Sequence, residues 1–154
     1  MRIQLLPMAS LVEYDREFLS KSWIWLNDPE MKALTLTPDF SKEEQLTFYD
    51  NLQGRKDYWI RGVIENGIPI GAMGLKNITA QKAEYWGYIG DKSYWGKGIG
   101  VFMLNAAINQ AKILKLAQLH LIVSNENLRA KALYLNNGFQ LLETGRTEKY
   151  FLIL

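Results

Sequence analysis

Seven consecutive residues, Tyr94-Trp95-Gly96-Lys97-Gly98-Ile99-Gly100, set three alternate glycines and a lysine between a strand-like run and a helical one. Glycines at this spacing bare the backbone, so main-chain amides can approach a ligand closely. The helix expected over 101–116 would turn its free N–H groups and positive dipole end to the same place. The chemistry that suits is the holding of a phosphate. Neither Gly-x-x-x-x-Gly-Lys-Ser/Thr nor Gly-x-Gly-x-x-Gly is present, which sets aside the nucleotide P-loop and the dinucleotide fingerprint. Read alone, the segment is equally a tight strand-to-helix turn.

Other chemistry is limited by what the chain contains. There is no cysteine, which removes thiolate nucleophiles, disulfides and cysteine-ligated metals together. His120 is the only histidine, so a histidine-rich metal site is excluded; carboxylate sites are not, and no metal is expected. The 154 residues suit one domain spanning 1–154, and 48% hydrophobic with 22% charged residues is ordinary globular composition. A net charge of +2 is too small to point to nucleic acid or a membrane surface. The first residues lack a signal-peptide pattern and no apolar run is long enough to span a bilayer, so the expected setting is cytoplasmic.

The elements that must position the loop follow from pattern. Residues 2–6 read as a strand stopped by Pro7. Leu11, Tyr14, Phe18 and Leu19 are helically spaced and predict a helix over 10–26, which Asp28-Pro29 should end. Residues 31–40 have no period and read as a loop. Ser41 with Glu44 forms a capping box for a helix over 41–52. Strands are expected over 57–65 and 68–78, joined by the hairpin signal Asn66-Gly67, and over 83–90. After the glycine loop and its helix, 118–124 is β-rich, and a strand–helix–strand series makes the flanking strands parallel. A helix follows from Asn127 to near Asn137 with Gly138 as its left-handed cap, then strands over 139–143 and 149–154. The result is a mixed α/β fold: a mostly antiparallel sheet with one parallel pair, helices on both faces.

Two motifs stand in fixed relation on this frame: Trp95-Gly96-Lys97-Gly98-Ile99-Gly100, and Asn127-x-x-Ala130-x-x-Leu133-Tyr134-x-x-x-Gly138-Phe139. Together they resemble the GNAT superfamily of acetyl-CoA-dependent N-acetyltransferases, whose loop is usually Gln/Arg-x-x-Gly-x-Gly/Ala. The resemblance covers essentially the whole chain. Trp95 departs from it, as in the branch resembling ribosomal-protein and aminosugar acetyltransferases; tryptophan removes the usual side-chain donor but leaves the backbone amides.

The resemblance implies acetyl-CoA as co-substrate, with its pyrophosphate on Trp95, Gly96, Lys97, Gly98, Ile99 and Gly100. Its arm would lie in a splay between the fourth and fifth strands near Tyr88-Ile89-Gly90. A main-chain N–H near Ile89 would polarise the thioester, and Asn127 would bond the arm from the other side. Tyr134, two helical turns beyond Asn127 on the same face, becomes the general acid for the departing thiolate. Glu84 becomes the base for the amine, directly or through water. His120 titrates in a suitable range and ranks second, although mid-strand among leucines it reads as a packing residue.

The acceptor is a small-molecule primary amine, an amino sugar first. The alternatives are a protein or peptide amine, or a non-catalytic acyl-CoA-binding sensor. Trp25-Leu26-Asn27-Asp28-Pro29 resembles a helix end of acetylases acting on nucleotide-linked amino sugars or peptide N-termini, which makes Trp25 and Asn27 substrate candidates; a plain helix stop is the simpler alternative. Trp23, Trp59 and Trp86 suit either an acceptor pocket or the core. Lys97, Arg129 and Lys131 suit phosphates or an ordinary wet surface. Phe151-Leu152-Ile153-Leu154 suits a final core strand or a dimer seam; many relatives are dimers, so the resemblance implies a homodimer.

Overall fold

In the computed structural model, which describes residues 8–154, a hairpin-rich sheet grows outward from the Asn66-Gly67 turn. Both turn residues take positive φ, 51° and 78°, the mirror-image geometry that matches strand twist. The turn joins β2 (Trp59–Glu65) to β3 (Ile68–Lys76), and β4 (Lys82–Ile89) adds antiparallel to β3. With β1 (Ala9–Val12), β5 (Gln118–Ser124), β6 (Gln140–Glu143) and β7 (Thr147–Ile153), the sheet order is β1-β2-β3-β4-β5-β7-β6. The strand expected over 2–6 lies outside the described residues.

Among the described strands only β4 and β5 are parallel, joined through α4 (Ile99–Ile113). Their pairing lasts three rungs, Lys82 to Gln118, Ala83 to Leu119 and Glu84 to His120. Beyond Glu84 the strands part, while β4 stays paired to β3 as far as Ile89 opposite Gly71. The wedge so opened is the feature that the remaining elements surround.

One face of the sheet carries α4 and α5 (Leu128–Asn136). Ile99, Met103, Leu104, Ala107 and Ala111 of α4 and Tyr134 of α5 bury against Met73, Leu75, Tyr85 and Leu121. The other face carries α1 (Arg16–Asn27), whose Phe18 and Leu19 pack with Tyr14 and Ala72. Beside α1 lie α2 (Pro29–Leu34) and α3 (Lys42–Asn51). A chain of hydroxyls ties α1 to the sheet: Tyr14 Oη and Tyr88 Oη each lie 2.8 Å from Ser22 Oγ.

Two expectations are corrected near the N-terminus. Residues 10–12 are strand, not helix, and pair with β2. The helix starts at Arg16 because Asp15 caps it, its Oδ1 accepting from Glu17 N at 3.1 Å and Phe18 N at 3.3 Å. Leu11 and Tyr14 fall at helical spacing only by coincidence. Residues 29–34 are helix, not loop: Asp28 Oδ2 accepts from Met31 N at 3.0 Å, and Pro29 fills the first helical position, where a missing N–H costs nothing. Asp28-Pro29 therefore ends one helix and begins another. The Ser41–Glu44 capping box and the Asn127-to-Gly138 helix form as expected. Residues 151–153 belong to β7, internal to the sheet between β5 and β6, with Leu152 packed on the core.

Where α1 crosses the sheet, the Phe18 ring occupies the place a side chain on Gly62 would need. Gly62→Ala should lift α1 from β2 at a cost of roughly 2 kcal/mol. In thermal unfolding this should lower Tm by about 4–8 °C; an unchanged Tm would mean that α1 adjusts freely.

Candidate active site

Helix starts leave N–H groups without partners, and this chain closes most of them with a side chain. Asp15, Asp28, Ser41 and Asn127 cap α1, α2, α3 and α5. The start of α4 is different. Its N-cap is Gly98 at φ 83°, with no side-chain cap, so the first N–H groups of the helix have no acceptor among the described residues. Gly96 also lies in the left-handed region, at φ 72°. A Cβ on either glycine would meet nothing within 4 Å, so the loop faces open space. Ile99 gives only its main chain here, its side chain being 1% exposed in the core. Lys97 is exposed and does not line the adjoining cavity.

That cavity, about 980 Å³, runs from the loop through the wedge between β4 and β5 to the α1–α2–α3 side. At its head are Trp95, Gly96, Gly98, Gly100, Asn127 and Arg129. Trp95 spends its side-chain donor inside the protein. Its indole N–H donates to the Ile89 carbonyl at 2.8 Å, tying the loop to the end of β4. The Arg129 guanidinium lies over the same indole, 4.9 Å from its centroid, and brings α5 to the loop. Asn127 spends its Oδ1 on Ala130 N at 3.3 Å, which leaves its amide donors for the cavity it lines. Lys131 instead pairs with Glu148 at 3.0 Å.

Midway stand Ile89 and Tyr134. Tyr134 is 8% exposed and sits among Tyr85, Phe139 and Tyr150, with ring centroids 6.3, 5.8 and 6.3 Å away. Burial pushes its phenol up to about 12, so it stays protonated at any physiological pH.

Glu84 lines the cavity at the last parallel rung. Its side chain is 12% exposed, with Lys76 Nζ at 3.2 Å and His120 Nε2 at 3.6 Å. His120 does not line the cavity. Burial holds its imidazole below the usual range, against the opposing pull of Glu84. Its Nδ1 is buried without a partner.

Trp25 and Asn27 stand outside this cavity. The Trp25 ring covers Gly90 and borders a separate surface depression. Asn27 is exposed, donating from Nδ2 to the Trp23 carbonyl at 2.7 Å. Leu26 between them does line the cavity, as do Met31, Leu34 and Leu36, which sequence reasoning left in a break and a loop. Asp28-Pro29 read as a helix start would have found Met31 and Leu34. Phe48 and Tyr58, also on the wall, carry no motif that marks them. Of the remaining tryptophans, Trp86 lines the cavity, whereas Trp23 packs edge-on to Phe40. Among the described residues no group of three or more His, Asp or Glu could hold a metal ion, and no helix is long and apolar enough to cross a membrane.

A helix start left open to an anion, at the head of a parted strand pair, suits an extended ligand with a phosphate at one end. The model of the acetyltransferase (GNAT) family matches residues 19–139, and the chain belongs to that family, whose acyl donor is acetyl-CoA. The fold recurs in solved structures. Spermidine N-acetyltransferase from Vibrio cholerae, in complex with CoA and spermine, has a TM-score of 0.84 at 20% identity, over 94% of this chain and 95% of that one. The Campylobacter jejuni N-acetyltransferase PseH gives 0.73 at 22%, over 96% and 99%. The PaiA N-acetyltransferase from Thermoplasma acidophilum, in complex with coenzyme A, gives 0.75 at 23%, over 95% and 99%. No curated protein matches the chain in sequence.

Trp95→Phe keeps a ring beneath Arg129 but deletes the bond to Ile89. A net hydrogen bond of about 1 kcal/mol predicts roughly 5-fold weaker acetyl-CoA binding by calorimetry. An unchanged Kd would show that the loop needs no tether to β4.

Proposed function

We propose that this enzyme moves an acetyl group from acetyl-CoA directly onto the primary amine of a small molecule, with an amino sugar as the first acceptor class. One observation carries the reading: α4 alone of the five α-helices described has an uncapped start, and it opens on a cavity that reaches Glu84. Acetyl-CoA supplies an activated acetyl thioester. The main-chain amides of 96–100 hold its pyrophosphate, and the Asn127 amide with the β4 edge near Ile89 holds its amide-rich arm. Tyr134 keeps its proton on Oη, available to a departing thiolate. Glu84 takes the proton of the incoming amine, directly or through one water. Lacking cysteine, the chain has no thiol to carry the acetyl group, which favours direct transfer.

The reading is tested by calorimetry with acetyl-CoA and by CoA release across amino sugars, polyamines and peptides. Tyr134→Phe and Glu84→Gln should each lower kcat roughly 100-fold, the low end for a positioned proton-transfer group. Both should keep acetyl-CoA affinity within about twofold. Unchanged turnover in either variant removes that residue from the reaction. Turnover on peptides alone would move the acceptor to polypeptide, and binding without turnover would leave an acyl-CoA sensor.

The pH profile gives an independent check. A raised pKa keeps the acid form longer, so Tyr134 is disarmed only as pH climbs toward about 12. In the wild type kcat should therefore not decline through pH 10, where an unperturbed tyrosine ionises. A descending limb there that vanishes in Tyr134→Phe would contradict the burial effect.

A further inference from the structure

The acceptor end of the cavity has a composition of its own. Glu84, Trp86 and Tyr88 alternate along β4 and so share one face of the sheet. Trp86 stacks on Tyr88 at 6.2 Å and 24°, and the Tyr58 ring lies 6.2 Å from Trp86, tilted by 44°. Phe48 meets Tyr58 edge-on at 5.4 Å and extends the wall toward α3. The Trp86 indole N–H is buried there with no partner among the described residues. At the rim Leu36 stands between Thr35 and Thr37, whose hydroxyls lie 2.6 Å apart. Leu36 holds φ 56° where α2 ends in a Schellman turn, with Thr37 N donating to the Lys32 carbonyl at 3.0 Å. Glycine is the usual residue there, and a leucine in the left-handed region is strained. The strained residue puts a leucine side chain at the mouth of the cavity.

Charge is sparse at this end among the described residues. Lys76 and Glu84 are the ions on its wall, with Lys76 Nζ 3.2 Å from one Glu84 oxygen, so Glu84 is the single carboxylate an enclosed ammonium can approach. The other charged residues on the cavity, Glu126 and Arg129, belong to the turn before α5 and its first residues, where Arg129 lies over Trp95 of the loop. Among the described residues a second ammonium enclosed here would find no further carboxylate, and burying an unpaired charge is far costlier than a stacked ring can offset. An enclosed phosphate would find Lys76 already paired with Glu84.

We infer that the part of the acceptor enclosed by the cavity is a single ammonium carried on an uncharged ring. The ring lies against the Tyr58–Trp86 wall, with the ammonium toward Glu84 and any further charge outside the Leu36 rim. An aryl ring and the C–H face of a sugar share this chemistry. The inference rests on the acetyltransferase reading and narrows its acceptor.

The test compares tyramine, glucosamine and spermidine as acceptors at saturating acetyl-CoA, reading kcat/KM from CoA release. At least one ring amine should exceed spermidine by 10-fold or more, and which one leads separates the aryl from the sugar source. Trp86→Ala should raise KM for that ring amine about 10-fold while acetyl-CoA affinity is unchanged, and Trp86→Phe should restore most of the loss. Spermidine equal to or better than both ring amines overturns the inference. So does a KM rise in Trp86→Ala shared equally by ring and chain amines, or rejection of both ring amines by protein that binds acetyl-CoA; these leave the acetyltransferase reading standing. Failure to bind acetyl-CoA overturns both.

Discussion

A β-strand must satisfy the hydrogen bonds on both of its edges, and β4 does so on only one for most of its length. Its β3 edge is paired from Glu84 to Ile89, whereas its β5 edge is paired only through Glu84. An extended ligand rich in amides is the natural partner for an edge exposed inside a fold, since it can pair as a further strand would. The rest of the molecule keeps this half-paired strand from closing. Tyr134 and its aromatic neighbours fill the wedge from the α5 side, and Gly100 lets Leu133 of α5 come within 3.3 Å of where its own Cβ would stand. On the far side, the amides of Gly90 and Asp91 both turn to the Ile70 carbonyl, at 2.7 and 3.1 Å, fixing where β4 ends.

Two tethers make that strand end a common reference for both halves of the site. Trp95 joins it to the anion loop, and the Ser22 hydroxyl joins Tyr88 to α1 and thus to the acceptor wall. In the proposed reading the cofactor half and the acceptor half are built on opposite faces of the sheet, by α4–α5 and α1–α3. They meet only where the sheet has parted. The fold needs no separate domain to bring donor and acceptor together, because one missing stretch of pairing connects its two surfaces.

The strand-and-helix order from residue 41 onward was legible because its signals are local: the Ser41–Glu44 box, the Asn66-Gly67 turn, the Gly98 and Gly138 conformations. The N-terminal third was harder for a physical reason. Asp15 and Asp28-Pro29 are capping signals embedded in a continuous aromatic and apolar run, and the periodicity of that run blurs across a strand, a turn and two helices. The cofactor half of the candidate site could be read from motifs, because glycine φ angles and helix starts constrain sequence tightly. The acceptor half could not. Phe48, Tyr58 and Trp86 come from α3, the approach to β2, and β4, and only the folded sheet brings them together.

The bare start of α4 has a thermodynamic side. Each of the other α-helices described carries its cap in its own sequence and keeps it whether or not a ligand is bound. In the proposed reading the cap of α4 is an acetyl-CoA phosphate, which would make part of the folding free energy depend on the bound cofactor. A ligand at 100 times its Kd adds about 2.7 kcal/mol to the stability of the state that binds it. On that reading the first turn of α4 is where the stability of the fold is coupled to acetyl-CoA concentration.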